Sequence, residues 1–124
     1  MPKPGATGLT RIRHATVYSI QGLRAAWQHE SAFRQETLLI AVLLPFAFFL
    51  GRHATEVALL ITVLGIVLIT ELLNSAIEAV VDRVSSEQHE LAGRAKDMGS
   101  AAVAISLLLA AIVWSLVALD RLTA

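Results

Sequence analysis

No cysteine occurs anywhere in the chain, so neither a disulfide framework nor a zinc site built on thiolates is available to it. Charge is scarce and balanced. Ten acidic and ten basic residues make up 16% of the sequence and sum to zero, which leaves no basic field for a nucleic acid and makes the distribution of charge more informative than its total. The phosphate loop GxxxxGK[ST] is missing, as is a glycine-rich kinase loop, and with them the familiar soluble nucleotide folds as local motifs. His14, His29, His53 and His89 are too dispersed for a histidine metal cluster. No linker, low-complexity tract or repeat divides residues 1–124, which read as a single domain. The N-terminus also lacks the continuous apolar core of a cleavable signal peptide.

What the chain has instead is apolar length. Hydrophobic residues make up 56% of it and the mean hydropathy is +0.66, too apolar for a soluble domain of this size, so an all-α membrane protein is expected. A bilayer core about 30 Å thick needs about 20 apolar helical residues, and three segments approach that. The clearest is "MGSAAVAISLLLAAIVWSLVAL", Met98 to Leu119, with a span expected over about 96–120. It carries no charge apart from its flanks, its small residues let helices approach, and Trp114 stands where an interfacial aromatic is expected. A second span, about 56–83, begins with "VALLITVLGIVLIT". The first, about 33–51, is the shortest, and Pro45 is positioned to kink it. Ahead of the spans, at about 6–29, Leu9, Ile12, Thr16, Ile20, Leu23 and Trp27 recur at helical spacing while Arg11, His14, Gln21 and Gln28 point elsewhere. That pattern fits an amphipathic helix in the headgroup plane, with a soluble arm packed on the bundle as the alternative.

Three spans place the N-terminal arm and the 83–97 connection on one side. That side holds Lys3, Arg11, Arg13, Arg24, Arg34, Arg83, Arg94 and Lys96, against Arg52 and Arg121 on the other, so it is expected to be cytoplasmic. Nearly all the acidic residues share it, and the chemistry is expected there.

In the stretch "ITELLNSAIEAVVDR", residues 69–83, Glu71 follows fourteen uncharged residues, and Glu71, Asn74, Glu78 and Asp82 share one helical face. A charge at the centre of a transmembrane helix costs roughly 2.5–3.5 kcal/mol even on insertion scales, so an intramembrane carboxylate is read first as functional. Asp82 fits an ordinary water-exposed helix end. Glu71, flanked by apolar residues on both sides, does not, and a carboxylate shielded there suits a proton acceptor. Glu78 lies about 10.5 Å further along the axis, too far for the two to chelate one ion unaided, which favours one base and one metal ligand. Magnesium is usually held by one or two carboxylates plus substrate phosphates, and Glu30 is a second candidate ligand that a solvated helix end would explain equally well. The connection "SSEQHELAGRAKDMGS", residues 85–100, brings Glu87, His89, Arg94, Lys96 and Asp97 near the stripe. Its basic groups suit phosphates, although the positive-inside rule accounts for them without a ligand.

Three segments, "GLRAAWQHESAFRQE" (22–36), "ELLNSAIEAVVDR" (71–83) and "ELAGRAKDMGSAA" (90–102), resemble the signature segments of the bacterial integral-membrane diacylglycerol kinases, with matching spacing. The resemblance covers the chain from Gly8 onward, and the pair ExxNxxxE and GRAKDMGSA is highly specific. It implies a homotrimer of subunits with three transmembrane helices and an N-terminal amphipathic helix, multi-pass in the bacterial inner membrane. The implied activity is transfer of the γ-phosphoryl group of MgATP to diacylglycerol, giving phosphatidate. By the same resemblance Glu71 accepts the proton of the lipid hydroxyl, Asn74 arranges the catalytic region, and Glu30 and Glu78 hold Mg²⁺. Arg11, Tyr18, Glu30, Glu78, Glu87, Gln88, His89, Lys96 and Asp97 are implied in ATP binding. Arg11, Ala15, Ser19, Arg24, Trp27, Ala32, Phe33, Glu36, Glu71, Ser100 and Trp114 are implied in binding the lipid. Gln88 departs from the family pattern, which has an aromatic there, and Pro45 is unusual for the first span. Rival readings are a kinase for undecaprenol, a proton-coupled transporter with a buried Glu, and a structural bundle whose subunit contacts bury the stripe.

Overall fold

The computed structural model describes residues 7–84 and 89–124, and every regular element among them is helical. Helix α1 spans Gly8–His29, α2 Ser31–Leu50, α3 Ala54–Val84 and α4 Glu90–Thr123. Helices α2, α3 and α4 are each long and apolar enough to cross a membrane. At about 1.5 Å per residue the 20 residues of α2 cover about 30 Å, matching a bilayer core, whereas the 31 of α3 and 34 of α4 reach about 46 and 51 Å. The two long helices therefore project beyond the hydrocarbon.

Local sequence explains the boundaries. Glu30 is the single residue between α1 and α2, extended at φ −117°, ψ 104°; its N–H donates to the Ala26 carbonyl, 2.9 Å, and its carbonyl accepts from Arg34 N–H, 3.2 Å. Arg34 reaches back across this joint to donate to the Trp27 carbonyl at 2.7 Å, satisfying one of the acceptors that a helix C-terminus leaves open. Helix α2 continues through Pro45, which removes one rung of its ladder without ending it. The α2–α3 turn needs a glycine: a Cβ on Gly51 would strike the Val57 side chain and backbone.

Helix α4 starts at Glu90, about six residues earlier than expected, and GRAKDMGS is part of the helix rather than of a connection. The cause is local. His89 Nδ1 accepts from Leu91 N–H at 3.1 Å as an N-cap, and Arg94 donates to Glu90 across one turn at 3.2 Å.

Helix α3 is central, packing along α4 and more briefly against α2. Of its buried residues, Leu60, Leu64, Val67 and Glu71 alternate by four and three with Val63 beside them, while α2 buries Phe33, Ile40 and Ala47 and α4 buries Gly99 and Ser106, each seven apart. Such heptad stripes are the packing pattern of helices crossing at a shallow angle. Helix α1 is the least enclosed element; only Ala26 is buried, and Leu9, Ile12, Ile20, Leu23 and Trp27 are exposed.

Candidate active site

The polar stripe is the core stripe continued. Counting on from Leu60, Leu64 and Val67, the same four-three alternation arrives at Glu71, Asn74 and Glu78, so the carboxylates occupy the positions that face α2 and α4. Glu71 is accordingly only 5% exposed, the one buried carboxylate in a seam otherwise lined by Leu and Val. Glu78, about two turns nearer water, is half-buried, and Asp82 is exposed.

Other elements converge on this segment. Glu30, at the α1–α2 joint, and Glu78 both lie within electrostatic range of Glu71, and Glu36 of α2 faces Glu71 as well. Four carboxylates from the joint, α2 and α3 thus share one region. Asn74 Nδ2 donates to Glu78 Oε1 at 3.4 Å, while Asn74 Oδ1 is buried and unpaired. Gly99 of α4 makes room for that amide, since a Cβ there would overlap Asn74 Oδ1. Lys96, one turn before Gly99, bonds to Asp82 with Nζ 2.6 Å from Oδ1 and also lies within range of Glu78. Among the described residues no group of three or more His, Asp or Glu side chains converges as a metal site.

Two grooves open beside the carboxylates. One of about 710 Å³ lies between α1 and α3, with Ser19, Leu23, Ala26, Glu30, Ser75 and Ala79 in its walls. The other, about 230 Å³ and almost wholly apolar, runs between α2, α3 and α4 with Glu36 at one end and Trp114 at the other. Glu36 Oε2 is buried without a hydrogen bond. Trp114 turns inward, donating its indole N–H to the Leu60 carbonyl at 3.2 Å.

The residues singled out from sequence do not all meet in one chain. Ser19 and Glu30 line one groove, Glu36 and Trp114 the other, and Lys96 lies along the stripe. Ala32 and Phe33 open α2, with Phe33 buried; Asp97 and Ser100 are exposed on α4; His89 caps that helix. Arg11, Ala15, Tyr18, Arg24 and Trp27 lie along exposed α1. Nineteen residues of helix part Arg11 from Glu30, about 28 Å, and Tyr18 stands about 18 Å from Glu30 by the same rise. Glu87 and Gln88 lie outside the described residues.

The model of the prokaryotic diacylglycerol kinase family matches residues 17–118. The chain belongs to that family. It is 56% identical over 108 residues to the diacylglycerol kinase of Escherichia coli K12, covering 87% of this chain and 88% of that one. It is 52% identical to the diacylglycerol kinase of Haemophilus influenzae over 108 residues, 87% and 92% of the two chains. The corresponding enzyme of Pseudomonas aeruginosa is 52% identical over 118 residues, 95% and 96%. As a diacylglycerol kinase family member with three membrane-spanning helices, the chain is a membrane protein and a kinase. Sequence reasoning about this kinase overlooked Gly99, Arg34 and the partner of Asp82. The available signals were the glycine inside GRAKDMGS and the seven-residue spacing of Trp27 and Arg34.

Proposed function

We propose that the chain transfers the γ-phosphoryl group of ATP directly to the hydroxyl of 1,2-diacylglycerol, giving phosphatidic acid and ADP. The observation that carries this reading is Glu71, a buried carboxylate at the place where the apolar seam of α3 turns polar. A hydroxyl at the glycerol level of a bilayer arrives from the apolar side and a nucleotide from the polar side. Glu71 takes the hydroxyl proton as the lipid oxygen bonds to phosphorus, and the bond to the ADP oxygen breaks in line, with no phosphorylated protein on the path. Asn74 donates a long hydrogen bond to Glu78 and so sits beside its carboxylate.

Glu30 and Glu78 are the carboxylates for a divalent cation. Two carboxylates are hard oxygen donors that would suit Mg²⁺, an ion usually held by one or two carboxylates together with substrate phosphates. When bound, Mg²⁺ neutralises charge developing on the transferred group. Lys96, Asp97 and His89 meet the nucleotide. The apolar groove from Glu36 to Trp114, with Ser100, meets the acyl chains. Helix α1 lies in the headgroup plane of the inner membrane, on its cytoplasmic side. Arg11 stands too far along α1 to reach a nucleotide at Glu30 of the same chain, so in a homotrimer it serves a neighbouring copy, whereas Tyr18, about 18 Å from Glu30, stays within the span of an extended nucleotide.

The test is transfer of label from γ-labelled ATP to dioleoylglycerol in mixed micelles, with Mg²⁺ present or chelated, for wild type and Glu71→Gln. Labelled phosphatidate from the wild type alone, and only with Mg²⁺, is expected, with ATP binding retained in the variant. Labelling of undecaprenol but not dioleoylglycerol would reassign the acceptor, and near-native turnover by Glu71→Gln would remove the base.

A further inference from the structure

Asp82 has no part in the scheme above, yet it makes the one side-chain ion pair between α3 and α4 at the stripe's polar end among the described residues, to Lys96 at 2.6 Å. Both partners are substantially open to water, with side chains 64% and 43% exposed, where a pair contributes little to stability and ordering two side chains opposes it. Stability is therefore a poor reason for the contact. Geometry offers another. Asp82 lies one helical turn beyond Glu78 on the same face, so the Lys96 ammonium has two carboxylates within its field and one seat to choose. The lysine stem is long and flexible, and its charge behaves as a compact point without directional preference. Left to Glu78 alone, it would settle there.

We propose that Asp82 is a positioning residue: it holds Lys96 off Glu78, leaving the Glu78 carboxylate free for the divalent cation and the ammonium poised beside it for the nucleotide's phosphates. The inference rests on reading Glu78 as a cation ligand and Lys96 as a phosphate group. Asn74 is the only hydrogen-bond partner described for Glu78, and at 3.4 Å that contact is loose enough to give way to a cation. Asp82→Asn removes the competing charge without changing shape, and Lys96 then moves to Glu78 and masks it.

The experiment is equilibrium binding of Mn²⁺ to the detergent-solubilised full chain in the presence of a non-hydrolysable ATP analogue, read from the electron paramagnetic resonance signal of free Mn²⁺. Asp82→Asn should weaken Mn²⁺ binding about fivefold or more, and the Mg²⁺ concentration for half-maximal turnover should rise in parallel. Asp82→Glu, which keeps the charge, should bind like the wild type. In the double variant Asp82→Asn, Lys96→Met the masking group is gone, so Mn²⁺ affinity should recover relative to Asp82→Asn alone. Unchanged affinity in Asp82→Asn, or a double variant as weak as that single one, would overturn the inference while leaving the cation reading intact. Failure of the wild type to bind Mn²⁺, or of Glu78→Gln to weaken it, would overturn both.

Discussion

Glu71 and Gly99 mark the limits of what single residues disclose in advance. The face shared by Glu71, Asn74 and Glu78 is legible because helical periodicity is local: four residues of one helix suffice to define it. That Glu71 is buried also follows from its place after Val67 in a four-three alternation. The accommodation of Asn74 by Gly99 is not legible, because it joins positions 25 apart and depends on how α3 and α4 slide past each other. The same holds for Lys96, whose two readings, phosphate group or topogenic charge, no spacing separates; its actual partner, Asp82, is set by that register. The Gly99 contact makes a sharp prediction. In Gly99→Ala the new methyl group displaces the end of the Asn74 side chain, whose oxygen there has no bond to lose, and rotation of the amide breaks its contact to Glu78. Phosphoryl transfer should drop at least about tenfold while the thermal midpoint stays within a few degrees of wild type, because a flexible side chain absorbs overpacking that a rigid core would resist at about 1–3 kcal/mol. A large fall in the midpoint with normal specific activity would contradict that account.

At the scale of elements, the joint between α1 and α2 matters most. Glu30 was open to two readings from sequence, a cation ligand or a solvated helix end, since composition says nothing about where a one-residue junction points. The fold aims it at α3 through the extended backbone of Glu30 and the Arg34 side chain that ties α2 to the last carbonyls of α1. Arg34→Met should release that tie. A lost hydrogen bond of this kind is worth about 1 kcal/mol, so amide hydrogen exchange in the final turn of α1 should quicken roughly fivefold. Exchange indistinguishable from wild type would show that the joint is held by other contacts. Three apolar helices were evident from composition, but their ends were not. Helix α4 gains a turn and a half through the His89 cap and the Glu90–Arg94 pair, short-range effects that hydropathy does not register. Pro45 does not divide α2.

Across the whole molecule, the two basic residues on the sparsely charged side are both engaged. Arg52 bonds to Glu56 and to Asp120 at the far end of α4, and Arg121 lies over the Phe49 ring, 5.8 Å from its centroid. The Glu56 contact chiefly, and then Asp120, raises the Arg52 pKa further above its ordinary range, so the group stays cationic. This cluster closes the bundle at the end remote from the carboxylates. Arg52→Met should lower the thermal midpoint by no more than a few degrees, less at high salt, and leave turnover unchanged. A marked loss of turnover would mean that the far end communicates with the site.

The projection of α3 beyond the hydrocarbon has a further consequence under the proposed reaction. Between Glu71 and Asp82 the helix rises about 16 Å along one continuous face, from an enclosed setting to open water. Along such a gradient neither reactant has to be extracted from its own phase: the lipid keeps its acyl chains in oil, the nucleotide keeps its base in water, and only a phosphoryl group crosses between them.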